Sequence, residues 1–186
     1  TSNINWFINT FDSSIDEITN CLKESINSDI LTKNSPYYLP YLTGERTPLN
    51  DPHVRASFHN MGIETNRNAL IYSLIEGISF GLFDNYQALS KTGIKLNNLF
   101  VIGGGSKNED WIKLSASILN RDLAITEASD AMAAYGAARL AYLGYNNLKH
   151  EDLLKPPSVK KIIEKDNNIS PLLQERYAQW KNYYVK

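Results

Sequence analysis

NLFVIGGGSKNE, residues 98–109, opens with an apolar strand, Leu99–Ile102, that runs straight into Gly103, Gly104 and Gly105. A helical pattern starts near Asn108. A strand that feeds a glycine turn and then a helix presents bare backbone N–H groups at the positive end of the helix dipole, which suits a phosphate or the edge of a nucleotide. Glycine also lets a ligand approach the main chain with no Cβ in the way. A tight strand-to-helix turn that binds nothing has the same local pattern, so from these residues both readings stay open.

Downstream, Trp111, Leu114, Ile118 and Leu119 predict a helix over Glu109–Leu119, and Leu123–Thr126 reads as a second strand. Small residues dominate the next helix, from Ala131 to Gly144, where Ala133, Gly136, Ala137 and Leu140 make a flat face suited to close packing or to a ligand. Residues 146–169 are polar, hold Pro156 and Pro157, and read as a linker-like wrap. Ser170 as N-cap and Pro171 at N1 then open a final helix.

Upstream, Thr65 is expected to cap the longest helix, which runs to about Leu89 with Leu70, Leu74, Ile75, Ile78 and Leu82 at helical spacing and Gly93 as its C′ residue. Ala56–Met61 reads as a short strand. Before it, SPYYLPYLTGERTPLNDP (35–52) carries Pro36, Pro40, Pro48 and Pro52, which leave room for neither a helix nor a central strand. A loop of this length is functional, an interface, or an ordered surface loop pinned by Tyr37, Tyr38 and Tyr41. Two helices, Asn3–Thr10 and Ser14–Ser25, begin the chain. It starts at Thr1 rather than Met and inside a helical pattern, so it reads as cut from something longer.

The 186 residues, 42% hydrophobic and 21% charged, suit a globular domain with a proper core. A net charge of −1 offers no basic excess for nucleic acid or an anionic membrane. Cys21 is the only cysteine, and His53, His59 and His150 lie apart, so no disulfide and no Cys/His metal cluster is expected. No apolar run approaches the ~20 residues of a membrane span, and no signal-peptide pattern is present. A cytoplasmic setting fits.

Gly103, Gly105 and Asn108 occupy GxGxxG positions, and Glu127 stands where a ribose-binding acid would sit. The third glycine is replaced by Asn and a second βαβ half is missing, which disfavours a dinucleotide site. Glu45 and Asp51 flank Arg46 and read as an ion pair, and Asp84, Asp110 and Asp130 are candidate acids or bases whose default reading is solvated carboxylates or caps. No nucleophile–base motif is evident. The residues alone give a nucleotide-compatible turn and no catalytic group.

Four ordered segments, LPYLTGERTPLNDPHVRASF, SLIEGISFGLFDNYQAL, LFVIGGGSKNEDWIKLSASILN and AMAAYGAARLA, resemble the FGGY carbohydrate kinase family. The resemblance runs from Asn3 to Leu143 and more loosely over the last helix. It implies an α/β domain of the ribonuclease H-like, actin/hexokinase type, helix-rich and with an incomplete sheet. Residues 1–186 would then be a partial C-terminal nucleotide-binding domain.

The family's adenosine motif falls on Gly103, Gly104, Gly105 and the Lys107–Asn108–Glu109 turn, with Asn108 or Glu109 bordering the adenine. Asn5, with Thr1, is a secondary nucleotide contact by the same likeness, and Ala133–Ala138 resembles a helix beside the interdomain hinge. The expected reaction is transfer from ATP, with Mg²⁺, to a sugar: D-xylulose giving xylulose 5-phosphate, or gluconate or another sugar or polyol. The catalytic Asp and most sugar contacts belong to the family's first domain, so no catalytic residue is expected here. A homodimer is a possible assembly. Asn60 stands where glycine is usual and Ala69 where a polar residue is usual. Outside this class, the competing readings are a dinucleotide-binding oxidoreductase fragment and a non-catalytic helical interaction domain.

Overall fold

In the computed structural model, which describes residues 2–25, 35–127, 129–149, 151 and 156–184, the longest helical repeat forms the centre. Helix α3 (Arg67–Ser90) buries Ile71, Leu74, Ile75, Phe80 and Phe83, and packs against α1 (Ser2–Phe11), α2 (Ile15–Ser25) and the strand β1 (Tyr37–Leu39), which pairs with β2 (Ser57–His59). Its N-cap is Asn66 rather than Thr65: the Asn66 side chain accepts the N–H of Ala69, while the Thr65 hydroxyl accepts the N–H of Gly62. At the other end Lys91 is the C-cap, so Gly93, at φ +83°, lies one residue beyond the expected C′ position.

The first part of the proline-rich loop is buried, while residues 42–52 lie at the surface. Tyr37, Tyr38, Leu39 and Tyr41 are buried, and β1 pairs antiparallel with β2, Tyr37 opposite His59 and Leu39 opposite Ser57. Prolines bracket this edge strand instead of interrupting it, which is why they tolerate it. Backbone contact explains Gly77 of α3, where a Cβ would lie 2.1 Å from the Tyr38 carbonyl oxygen. β2 ends before Met61 because Asn60 turns into the left-handed region (φ 59°), which asparagine tolerates almost as glycine does.

The second sheet has the order β3 (Phe100–Val101), β4 (Leu123–Thr126), β5 (Val159–Ile163). β3 and β4 are parallel and joined through α4 (Glu109–Leu119), and β5 runs antiparallel to β4. The polar 146–169 segment is therefore partly strand. VKKII carries only one buried side chain, Ile163, and that hid it from a hydrophobic reading. Ile112 and Ala116 of α4 pack on Leu123, Ile125 and Ile163 as a small apolar cluster, while α1, α2, α3 and the last helix form the larger one.

Helix α6 (Ser170–Asn182) closes that larger core with Leu173, Tyr177 and Trp180. Its N-cap is Ile169, and the Ser170 hydroxyl donates back to the Asp166 carbonyl instead of capping. Inside the core Arg176 meets Glu76 of α3 through two 2.7 Å contacts, both side chains 1% exposed. Helix α5 (Met132–Asn146), the small-residue helix, buries only Leu143 and leaves Tyr135, Leu140, Tyr142 and Tyr145 exposed.

Candidate nucleotide site at the glycine turn

β3 and β4 both end at one edge of the sheet, and the segments that leave them lie side by side. The carboxyl ends of parallel strands are where open α/β sheets hold ligands. After β3 the chain passes Gly103 and makes a short 3₁₀ turn, Gly104–Lys107; after β4 comes a second, Ser129–Ala131.

Gly103 has φ 87° and ψ −178°, a region open to glycine alone. Its N–H donates to the Ser129 carbonyl at 2.8 Å, so one of the three expected bare N–H groups is spent on tying the two turns together. The N–H groups of Gly104 and Gly105 find no acceptor among the described residues. A Cβ built at Gly103 or Gly104 would meet nothing within 4 Å, whereas one at Gly105 would press on the Trp111 ring at 3.1 Å. The open side of the turn is thus at Gly103 and Gly104, and Trp111 backs it.

The turn is fixed from below. The buried Ser106 hydroxyl donates to the Gly103 carbonyl at 2.7 Å and lies 2.7 Å from the Ser129 hydroxyl. Asn108 caps α4 by accepting the Trp111 N–H at 2.9 Å, and its amide donates to the Thr19 hydroxyl of α2 at 3.3 Å. The Trp111 indole N–H donates to the Ser79 hydroxyl of α3 at 2.9 Å. The Asn108 side chain is therefore engaged in holding the turn in place. Glu109 is paired with Lys161 of β5 at 2.7 Å, an exposed ion pair.

Lys107 pairs with Asp130 at 2.9 Å, and that ammonium holds the Asp130 carboxyl below its usual range. With Ser106, Glu109, Thr126, Lys160 and Lys161 they line a cavity of about 340 Å³ under the turn. The Thr126 hydroxyl on its wall is buried without a partner among the described residues. Ser106 and Ser129 escaped the sequence reading, which took Lys107 only as part of the turn and Asp130 only as a free carboxylate or cap; polar residues just past two strand ends were the available signal.

Asn5 is exposed on α1, which packs on α3, and it does not line that cavity. Thr1 lies outside the described residues, as does His150. The expected Glu45–Arg46–Asp51 ion pair is absent among the described residues: Glu45 accepts the N–H groups of Thr47 and Leu49, and Asp51 those of His53 and Val54. Asp84 is buried rather than solvated, taking the Tyr177 hydroxyl.

Residues 1–145 match the family described as FGGY family of carbohydrate kinases, C-terminal domain. The chain belongs to that family. It is 35% identical over 131 residues to the xylulose kinase of Staphylococcus xylosus, covering 70% of this chain and 27% of that protein. The crystal structure of a xylulose kinase from Brucella ovis superposes with a TM-score of 0.84 at 32% identity, covering 98% of this chain and 37% of the other. Plasmodium falciparum glycerol kinase, solved with ADP, shares the fold at a TM-score of 0.74 and 20% identity, over 98% of this chain and 36% of that one.

The fold is the ribonuclease H-like, actin/hexokinase type of the FGGY kinases, which sets aside the dinucleotide oxidoreductase and the helical interaction module. This chain spans about a third of the relatives it matches. Among its described residues, no helix is long and apolar enough to cross a membrane.

Proposed function

We propose that this chain is the nucleotide-binding part of an ATP-dependent sugar kinase, with D-xylulose as acceptor and xylulose 5-phosphate as product. The observation that carries the nucleotide role is the open glycine turn: among the described residues the N–H groups of Gly104 and Gly105 have no acceptor, and no described side chain blocks approach to Gly103 or Gly104. In this reading Gly103, Gly104 and Gly105 lie along the ribose and α-phosphate. Asn108 sets the turn's position, and Glu109 borders the adenine once it leaves its solvent-exposed pairing with Lys161. Asn5 contacts the nucleotide from α1. The xylulose kinase likeness of both the curated relative and the solved structure supports the choice of sugar, with gluconate as the alternative acceptor.

Phosphoryl transfer needs positioning and charge neutralisation more than covalent chemistry, and a bound Mg²⁺ would supply that neutralisation. Among the described residues no group of His, Cys, Asp or Glu is clustered to hold a metal. By the family likeness, the base that takes the sugar's proton belongs to the first domain of such kinases. The exposed Tyr135, Leu140 and Tyr142 of α5 give the rest of the protein an apolar face to pack on. A cytoplasmic homodimer is the setting we propose.

A phosphorylation assay of the whole protein against pentuloses, polyols and sugar acids tests this. Turnover of D-xylulose above the others is expected. Preference for gluconate would move the reading to that branch, and no transfer to any of them would refute it.

A further inference from the structure

A second cavity, of about 290 Å³, lies between the first residues of α1, the loop 40–48 and the face of α3 that carries Ile78 and Asn85. Three charged side chains line it, Glu45, Arg46 and Asp84. Two are already committed. The Glu45 carboxylate accepts the N–H groups of Thr47 and Leu49 at 2.8 and 3.0 Å. Asp84 accepts the Tyr177 hydroxyl and faces the Lys181 ammonium at 3.4 Å. Arg46 makes neither a hydrogen bond nor an ion pair with the described residues, and the Thr43 and Thr47 hydroxyls beside it are likewise unengaged.

The loop that carries Arg46 is held firmly. Glu45 and Asp51 exchange both backbone hydrogen bonds, at 2.9 and 2.8 Å. The Asp51 carboxylate takes the N–H groups of His53 and Val54 and the hydroxyl of Tyr184. A guanidinium on such a base gives up little beyond its own rotamer freedom when it binds.

We propose that this cavity binds a small polyhydroxylated oxyanion, a phosphorylated sugar or a sugar acid. Arg46 meets the anionic group with its planar fork, the geometry that pairs with phosphate and carboxylate oxygens. The Thr43 and Thr47 hydroxyls complete the donor set. The Asn85 side-chain carbonyl takes a ligand hydroxyl, its amide nitrogen being used on the Gly81 carbonyl at 3.0 Å. The cavity is larger than a bare ion needs, which leaves room for a carbon skeleton. None of the proposed ligand contacts lies in the glycine turn, although Ser2 and Asn3 of the helix that carries Asn5 line the same cavity.

Calorimetric titration of the whole protein with ribose 5-phosphate, gluconate and uncharged ribose tests it, on the wild type and on R46Q, T43V and G104V. At least one anion binds, and ribose binds at least tenfold more weakly. R46Q weakens the anion at least tenfold with an unchanged melting temperature, T43V weakens it several-fold, and G104V leaves it alone. The tighter anion tells whether phosphate or carboxylate is the group recognised. Ribose binding as tightly as the anions, R46Q behaving as wild type, G104V abolishing the binding, or no anion binding would each overturn the proposal.

Discussion

Asn108 accepts the N–H of Trp111 at 2.9 Å, so the residue that ends the glycine turn also begins α4. Trp111 in turn stands behind Gly105 and reaches Ser79 of α3 with its indole N–H. The turn's geometry is thus inherited from the core. Loss of an Asn N-cap costs about 1 kcal/mol. Asn108→Ala is expected to lower stability by that amount in denaturant melts, and Asn108→Asp, which keeps the accepting oxygen, to restore most of it.

The three glycines are expected to respond differently. Gly103→Ala forces a side chain into a region open to glycine alone and costs about 1–3 kcal/mol. Gly104→Ala meets open space and no positive φ, so its melt stays close to wild type. Gly105→Ala crowds the Trp111 ring and falls between them. Chemical denaturation of the three variants gives the order.

Arg176 and Glu76 are a buried ion pair, and removing one member strands the other's charge, at about 3–5 kcal/mol. Glu76→Gln and Arg176→Met are each expected to destabilise on that scale. The double variant Glu76→Leu/Arg176→Met is expected to recover much of the loss. A double variant no more stable than either single one would show that the pair contributes more than mutual neutralisation.

Glu17 of α2 meets Arg67 at 2.5 Å, and that guanidinium holds its carboxyl at about 2, against an ordinary 4.5. A lowered folded-state value means the stabilisation is complete above pH 4.5 and fades as the pH falls from 4.5 toward 2. Both groups are partly solvated, so the effect is modest. Acid titration of stability is expected to show a shallower slope in this window for Glu17→Gln than for the wild type.

The long helices α3 and α4 were legible because burial on one face leaves a pattern, and the short strands β3 and β4 because they are continuous apolar runs beside turn residues. Two other strands left no such signal. β1 is three residues between prolines, and β5 is largely exposed with two lysines. Competing polar residues also blurred the caps: Thr65 precedes Asn66, and Ser170 found a carbonyl four residues back. The glycine turn was visible as a turn. That Gly103 spends its N–H on Ser129, or that Arg176 would cross the core to Glu76, depends on contacts between residues 26 and 100 positions apart, and spacing carries no trace of those.

Nucleotide affinity of the whole protein with Gly104 replaced by Val is the most direct measurement. Isothermal titration with an ATP analogue is expected to show at least tenfold weaker binding, with D-xylulose affinity and melting temperature near those of the wild type. Unchanged nucleotide affinity in a well-folded Gly104→Val protein would contradict a nucleotide lying along the open side of the turn.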